Sequence, residues 1–200
     1  MARANEIHCI SPELFVWQAY EPAVKCDLTS TAVRVGARLV LIDPIALAPA
    51  ASEELLGYGN PELVVCTSAN HGRAAVHYRD RFGLGIAAHP DARDELGFEV
   101  DMTVEDGSRI EKALEIKSLP GAATGEIALI MPGKLLCVGD ALIHLPQTGF
   151  SLLPDKYCTD TKLLRQSLRN LLRYDFSTLT FAHGLPLVTQ ARSRLEALLA

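Results

Sequence analysis

Three apolar runs in this chain each stop at a residue able to bind a metal or move a proton, and that repetition constrains the fold more than any other feature. Val64-Val65-Cys66-Thr67 leads into Ser68-Ala69-Asn70-His71-Gly72-Arg73, Cys137-Val138 leads into Gly139-Asp140, and Phe181-Ala182 leads into His183-Gly184. A fourth segment, Leu119-Pro120-Gly121-Ala122-Ala123-Thr124-Gly125, has the same setting but carries alanine where a ligand is expected. Short apolar runs closed by turn residues read as buried strands. Each polar residue is therefore placed just beyond a strand end.

The rest of the chain fits one compact domain over residues 1–200. A hydrophobic fraction of 48% over 200 residues suffices for a large core, and 22% charged residues is ordinary for a surface. A formal net charge of −5 argues against a partner bound through a phosphate backbone, so no nucleic acid is expected. No stretch is long and apolar enough to span a membrane, and residues 1–11 lack the basic and apolar regions of a signal peptide. Five scattered cysteines with no Cys-x-x-Cys pair suggest reduced thiols in a cytoplasm rather than a disulfide framework. The oligomeric state is not written in the sequence.

Residues 27–33 and 37–42 read as two strands around Gly36, ending in the turn signal Asp43-Pro44. Ser52 to Gly57 has a capping serine, early acids and a closing glycine, which predicts a short helix. Residues 63–66 form a short strand. Ala75, Tyr78 and Phe82 lie at helical spacing over 73–82, with Gly83 as the stop and His77 on the exposed side. His89 falls in a turn before Pro90. Further strands are expected at 86–88, 110–116, 127–131 and 135–138, the last two joined by Pro132-Gly133. An amphipathic helix over 161–173, a strand over 179–182 and a helix over 188–199 complete an α/β pattern.

In their order, the strand-end segments resemble the metallo-β-lactamase superfamily, whose best-known soluble members are glyoxalase II-like hydrolases. The resemblance covers residues 27–187. It implies an α/β fold in four layers, αββα, with two sheets packed face to face, helices outside and the site at the sheet edge. Members carry a His-x-His-x-Asp-His run, a histidine in a Pro-Gly-His-Thr-Pro-Gly loop, a bridging aspartate and a last histidine, which together hold two metal ions. Imidazole and carboxylate ligands leave an open position for a water whose pKa falls to ~7.

Laid on that pattern without gaps from Thr67, the ligand positions become Ser68, Asn70, Gly72 and Arg73, and the site is destroyed. With a two-residue deletion after Thr67, Asn70-His71 falls on the Asp-His pair and a helix follows from His71 to residue 82. The second alignment is preferred. It leaves the first metal position empty of imidazole, with Ala122 in place of the loop histidine. The second position keeps His71, Asp140 and His183, with Asn70 as a weaker neutral ligand. The resemblance thus implies either no cofactor or a single zinc, iron or manganese ion.

Arg73 is a candidate fork for an anionic ligand or a surface salt bridge, and His144 a candidate for reaching the cleft or an ordinary loop histidine. Cys66 and Cys137 are expected to pack as small apolar residues. Gly149 to Asp155 reads as a flap over the cleft or a segment packed on the core. No nucleophile elbow, P-loop or dinucleotide fingerprint is present. Two readings follow. In one, slightly favoured, the protein is catalytically silent and binds a small anionic molecule or a partner in the old cleft. In the other, it is a mononuclear metal-dependent hydrolase of a small ester, thioester or lactone. There His71, Asp140 and His183 hold the ion, and Asp140 also serves catalysis by orienting the water.

Overall fold

The computed structural model describes residues 2–200. Its apolar runs are continuous because most strands are buried on both faces, while successive side chains still alternate between them. Leu39, Leu41, Val64, Cys66, Ile86 and Ala88 enter one core, which also contains Ala51, Leu55, Ala75 and Tyr78 from two helices. Their neighbours Val40, Ile42, Leu63, Val65 and Ala87 face the opposite way and meet Ile116, Ile127, Leu129, Leu135 and Cys137 of a second sheet. The far face of that sheet, with Ala128, Ile130, Leu136 and Leu179, packs on Leu164, Leu168, Leu195 and Leu199 of two later helices. Three cores between four layers give the αββα sandwich.

The larger sheet runs in the order His8–Ser11, Leu14–Glu21, Cys26–Val35, Arg38–Ile42, Asn60–Val65, Gly85–Ala88, Met102–Thr103. Its first three pairings are antiparallel and the last three parallel. The smaller sheet runs Arg109–Ile110, Leu114–Ser118, Ile127–Met131, Leu135–Cys137, Thr178–Thr180, with only the last pairing parallel. Trp17, fully buried, donates its indole N–H to the Ile45 carbonyl at 3.0 Å, and the Tyr78 hydroxyl donates to the same oxygen at 3.1 Å. That shared acceptor ties the first helical layer to the sheet.

Several elements differ from the sequence expectation, each for a local reason. The helix expected at Ser52 spans Pro49–Tyr58 instead: Pro49 supplies the preset φ of a first turn, and Ser52 is buried inside the helix. The helix over 73–82 starts at Ala75, and His71 ends a separate 3-10 turn, Ala69–His71. Arg73, at φ 35°, breaks the two apart. The strand expected over 110–116 is a hairpin, because Glu111 (φ 49°) and Lys112 (φ 58°) both turn left-handed. Three strands, Arg3–Ala4, His8–Ser11 and Leu14–Glu21, stand before the first one read from the sequence. The segment read as a flap pairs with Leu142–Leu145 as Gly149–Leu152, and Phe150, Leu152 and Leu153 pack on the core beside the later helices. Thr161–Leu171 begins where expected, Asp160 accepting from the Lys162 and Leu163 amides at 2.9 and 3.0 Å. The last helix, Ala191–Leu199, starts later than expected, after left-handed Gln190. No helix among the described residues is long and apolar enough to cross a membrane.

Candidate metal centre

The parallel pairings decide where the chemistry gathers. Arg38–Ile42 and Asn60–Val65 run parallel, so Asp43 and Thr67 lie side by side past their carboxyl ends. Leu135–Cys137 and Thr178–Thr180 do the same for Asp140 and His183 in the other sheet. Two backbone bonds join the sheets at this edge, Ile127 N–H to Thr67 O and Thr29 N–H to Ala182 O, both at 2.8 Å.

There His71, Asp140 and His183 converge, with one ligating atom from each lying within 4.8 Å of the others. Asp140 Oδ1 is 3.2 Å from His71 Nε2 and 3.1 Å from His183 Nε2. His71 is 2% exposed and Asp140 9%, whereas His183 is half-buried. The far nitrogen of His71 is fixed from behind. Its Nδ1 lies 2.8 Å from Thr67 Oγ1 and 3.0 Å from Asp43 Oδ2, and Asp43 also accepts the Thr67 hydroxyl at 2.5 Å and the Thr67 amide at 2.7 Å. Because the Thr67 proton already goes to Asp43, Nδ1 must donate. Nε2 then turns toward Asp140, buried and outside the geometry of a hydrogen bond. A carboxylate behind an imidazole whose other nitrogen faces a cleft is the arrangement that orients metal-ligating histidines.

Burial alone pushes the His71 pKa down, but the Asp140 and Asp43 carboxylates outweigh it and raise it to about 10. Burial likewise opposes ionisation of Asp140 and Asp43, yet His71 holds both below the ordinary range, helped by His183 for Asp140 and by Arg73 and Thr67 for Asp43. Stability follows from these directions. The His71 contribution is complete below its ordinary pKa of 6.5 and is lost as pH rises through about 10. The aspartate contributions are present above 3.8 and lost as pH falls through their lowered values. In chelator-treated protein, the urea unfolding midpoint is expected to fall as pH is raised from 6.5 to about 10. A midpoint constant over that interval would contradict the assignment.

Residues expected near the site are placed unevenly. Asn70 is exposed, with its backbone amide on Ser68 Oγ at 3.3 Å, and no contact links its side chain to the His71–Asp140–His183 group. Ala122 is fully buried in the core around Leu119 and Leu164. His144 reaches the loop rather than the cleft: its Nδ1 lies 2.7 Å from the Leu185 carbonyl, and its amide donates to His183 O at 3.1 Å. His77 is exposed, and Cys66 and Cys137 are buried.

Arg73 is neither an open fork for an anion nor part of a surface salt bridge. Its terminal nitrogens donate to three backbone carbonyls, Thr29 O at 2.6 Å, Asp43 O at 3.0 Å and Ala182 O at 3.0 Å. The guanidinium is consumed by carbonyls at the edge of the sandwich. Arg73→Lys, whose single ammonium cannot span three acceptors, is expected to cost about 3 kcal/mol in urea unfolding. A loss indistinguishable from zero would show that the three bonds carry no net stability.

Sequence reasoning missed Asp43, read only as a turn, and Glu126. Glu126 is buried, accepts the Ala141 amide at 2.6 Å through Oε1, and leaves Oε2 buried without a partner. Burial, then the charge of Asp140, raises its pKa to about 8. It secures the turn carrying Asp140. An isolated acid after Gly125 gives no periodic signal by which this role is found.

A two-sheet sandwich with histidine and aspartate gathered at one edge defines a class, and comparison with known proteins names it. The family model described as "Metallo-beta-lactamase superfamily" matches residues 7–200, and the chain belongs to that superfamily. A comparison with curated proteins returns no match. Among solved structures, the chain is similar to DIM-1 metallo-beta-lactamase, with a TM-score of 0.77 at 14% identity over 100% of this chain and 98% of that one. TMB-1 gives 0.77 at 15% identity over 98% and 97%. The metallo-beta-lactamase FIM-1 from Pseudomonas aeruginosa, described in its mono-zinc form, gives 0.76 at 14% identity over 96% and 93%. At these identities the likeness shows the fold.

Proposed function

We propose that this protein is a single-metal member of its superfamily, and that it hydrolyses a small ester, thioester or lactone. The observation that carries the reading is His71 Nε2, a buried imidazole nitrogen with no hydrogen bond, converging with Asp140 and His183. Two imidazoles and a carboxylate suit one zinc, iron or manganese ion. When bound, such an ion supplies an activated water with a pKa near ~7.

The chain's own residues do the rest. Asp43 and Thr67 hold the His71 tautomer, the Asp27 carbonyl lies 3.3 Å from His183 Nδ1, and Glu126 fixes the Asp140 turn. The first metal position of the family has no imidazole here. Ser68 caps a 3-10 turn, Asn70 is exposed and Ala122 is buried in the core, which supports one ion rather than two. One neighbour of the same fold is described in a mono-zinc form. Five free cysteines support a reducing, cytoplasmic setting.

A silent protein binding a small anionic molecule in the old cleft is the second reading, favoured by the near-complete burial of His71 and Asp140. Metal analysis of protein purified without added zinc separates the two. The expected result is about one equivalent of transition metal and little or no hydrolysis of a chromogenic cephalosporin. Two tightly held ions would overturn the assignment, and no uptake on zinc titration would favour the silent reading.

A further inference from the structure

A cysteine stands on the far side of the His183 ring. Cys26 Sγ lies 3.3 Å from His183 Nδ1, and His183 Nε2 lies 3.1 Å from Asp140 Oδ1. The line thiol, imidazole, carboxylate is the order in which a nucleophile, a base and an orienting group are arranged for covalent catalysis. We propose that, when no metal is bound, Cys26, His183 and Asp140 act as a thiol acyl-transfer triad toward small activated esters and thioesters. This goes beyond the metal-dependent reading and uses the other nitrogen of a residue assigned to the metal.

The two contacts at His183 Nδ1 fit its two tautomers. In the tautomer with its proton on Nε2, toward Asp140, the Nδ1 lone pair faces the Cys26 thiol. Were His183 to hold a metal through Nε2, its ring proton would sit on Nδ1 and face the Asp27 carbonyl, also 3.3 Å away. Metal occupancy therefore removes the base. Attack by the Cys26 thiol needs a base, and His183 Nδ1 at 3.3 Å is the one in contact with it.

No other thiol is placed this way. Cys66 and Cys137 are buried, the Cys9 thiol donates to the Ser11 carbonyl, and the Cys158 thiol to the Leu153 and Pro154 carbonyls. Cys26 is half-buried at the start of its strand, beside the His183 ring.

The chemistry balances without a further reactant except water. The Cys26 proton passes to His183 Nδ1 as Sγ bonds to the acyl carbon. The bond to the leaving alkoxide or thiolate then breaks, and that group departs with the proton. Water attacks the acyl-enzyme thioester, His183 takes one of its protons, and Cys26 leaves as the thiol with that proton restored.

The test is acetylation by p-nitrophenyl acetate, with modified cysteines located by mass spectrometry in intact, chelator-treated protein. Cys26 is expected to acetylate at least about tenfold faster than exposed Cys9, the internal control, since a positioned base supplies ~100-fold or more. His183→Gln, with folding checked by circular dichroism, should bring Cys26 to the Cys9 rate. Saturating zinc should slow Cys26 in the unaltered protein, a comparison that needs no variant. Equal rates at Cys26 and Cys9, or a Cys26 rate unchanged in folded His183→Gln, would overturn the triad. Fast Cys26 acetylation dependent on His183 but indifferent to zinc would support the triad while overturning the metal reading.

Discussion

Under the single-metal reading Asp140→Ala is expected to weaken zinc binding by more than ~100-fold, because loss of a supporting residue around a metal ligand alone costs ~10–100-fold and Asp140 would itself be a ligand. Its Oδ1 is the atom common to both imidazoles, 3.2 Å from His71 and 3.1 Å from His183, so no remaining carboxylate bridges them. The same variant should flatten the alkaline loss of stability, since Asp140 is the charge that most strongly holds the His71 proton. Zinc titration by calorimetry and urea unfolding at several pH values read the two effects separately. A variant that binds zinc like the unaltered protein would place the metal elsewhere. One that also unfolds with an unchanged pH dependence would show the cleft to be vestigial.

Gly184→Ala carries the largest expected cost to stability. A Cβ at this position would overlap the His144 carbonyl oxygen, and the backbone stands at φ 94°, where side chains are strained. His144 cannot yield, because its amide and carbonyl pair with His183 O and the Leu185 amide at 3.1 Å each. The loop carrying His183 must move instead, with a loss of about 4 kcal/mol in urea unfolding and a fall in zinc affinity. Gly36→Ala is the control: φ is 64° but nothing lies within 4 Å, so only the backbone cost of ~1 kcal/mol remains. Equal costs at the two positions would refute the steric argument.

What was legible in the sequence was local. His71, Asp140 and His183 each follow an apolar run, and a strand ending in a polar residue announces itself within a few positions. The layers were legible through the superfamily resemblance and the alternating burial that underlies it. Leu14–Glu21 escaped because its first four residues are all buried and so show no period-two pattern. The partners that make the three site residues act together were hidden for another reason. Asp43 reaches Thr67 across 24 positions, Glu126 reaches Ala141 across 15, and Cys26 reaches His183 across 157. No window of sequence contains such a pair. Arg73 was misread because a charged residue at a helix start looks solvated until the three carbonyls around it are placed.

Those three carbonyls belong to segments that are far apart in the chain, one following Leu28, one following Ile42 and one following Phe181. One guanidinium and the backbone bonds between the sheets hold the rim through contacts other than the three candidate ligand side chains. In a small zinc-folded domain, losing a ligand means losing the fold. Here the bonds that fasten the sheets use none of the three candidate ligand side chains, so replacing one ligand need not unfasten the sandwich. The single-metal centre proposed above is one that such a frame could hold.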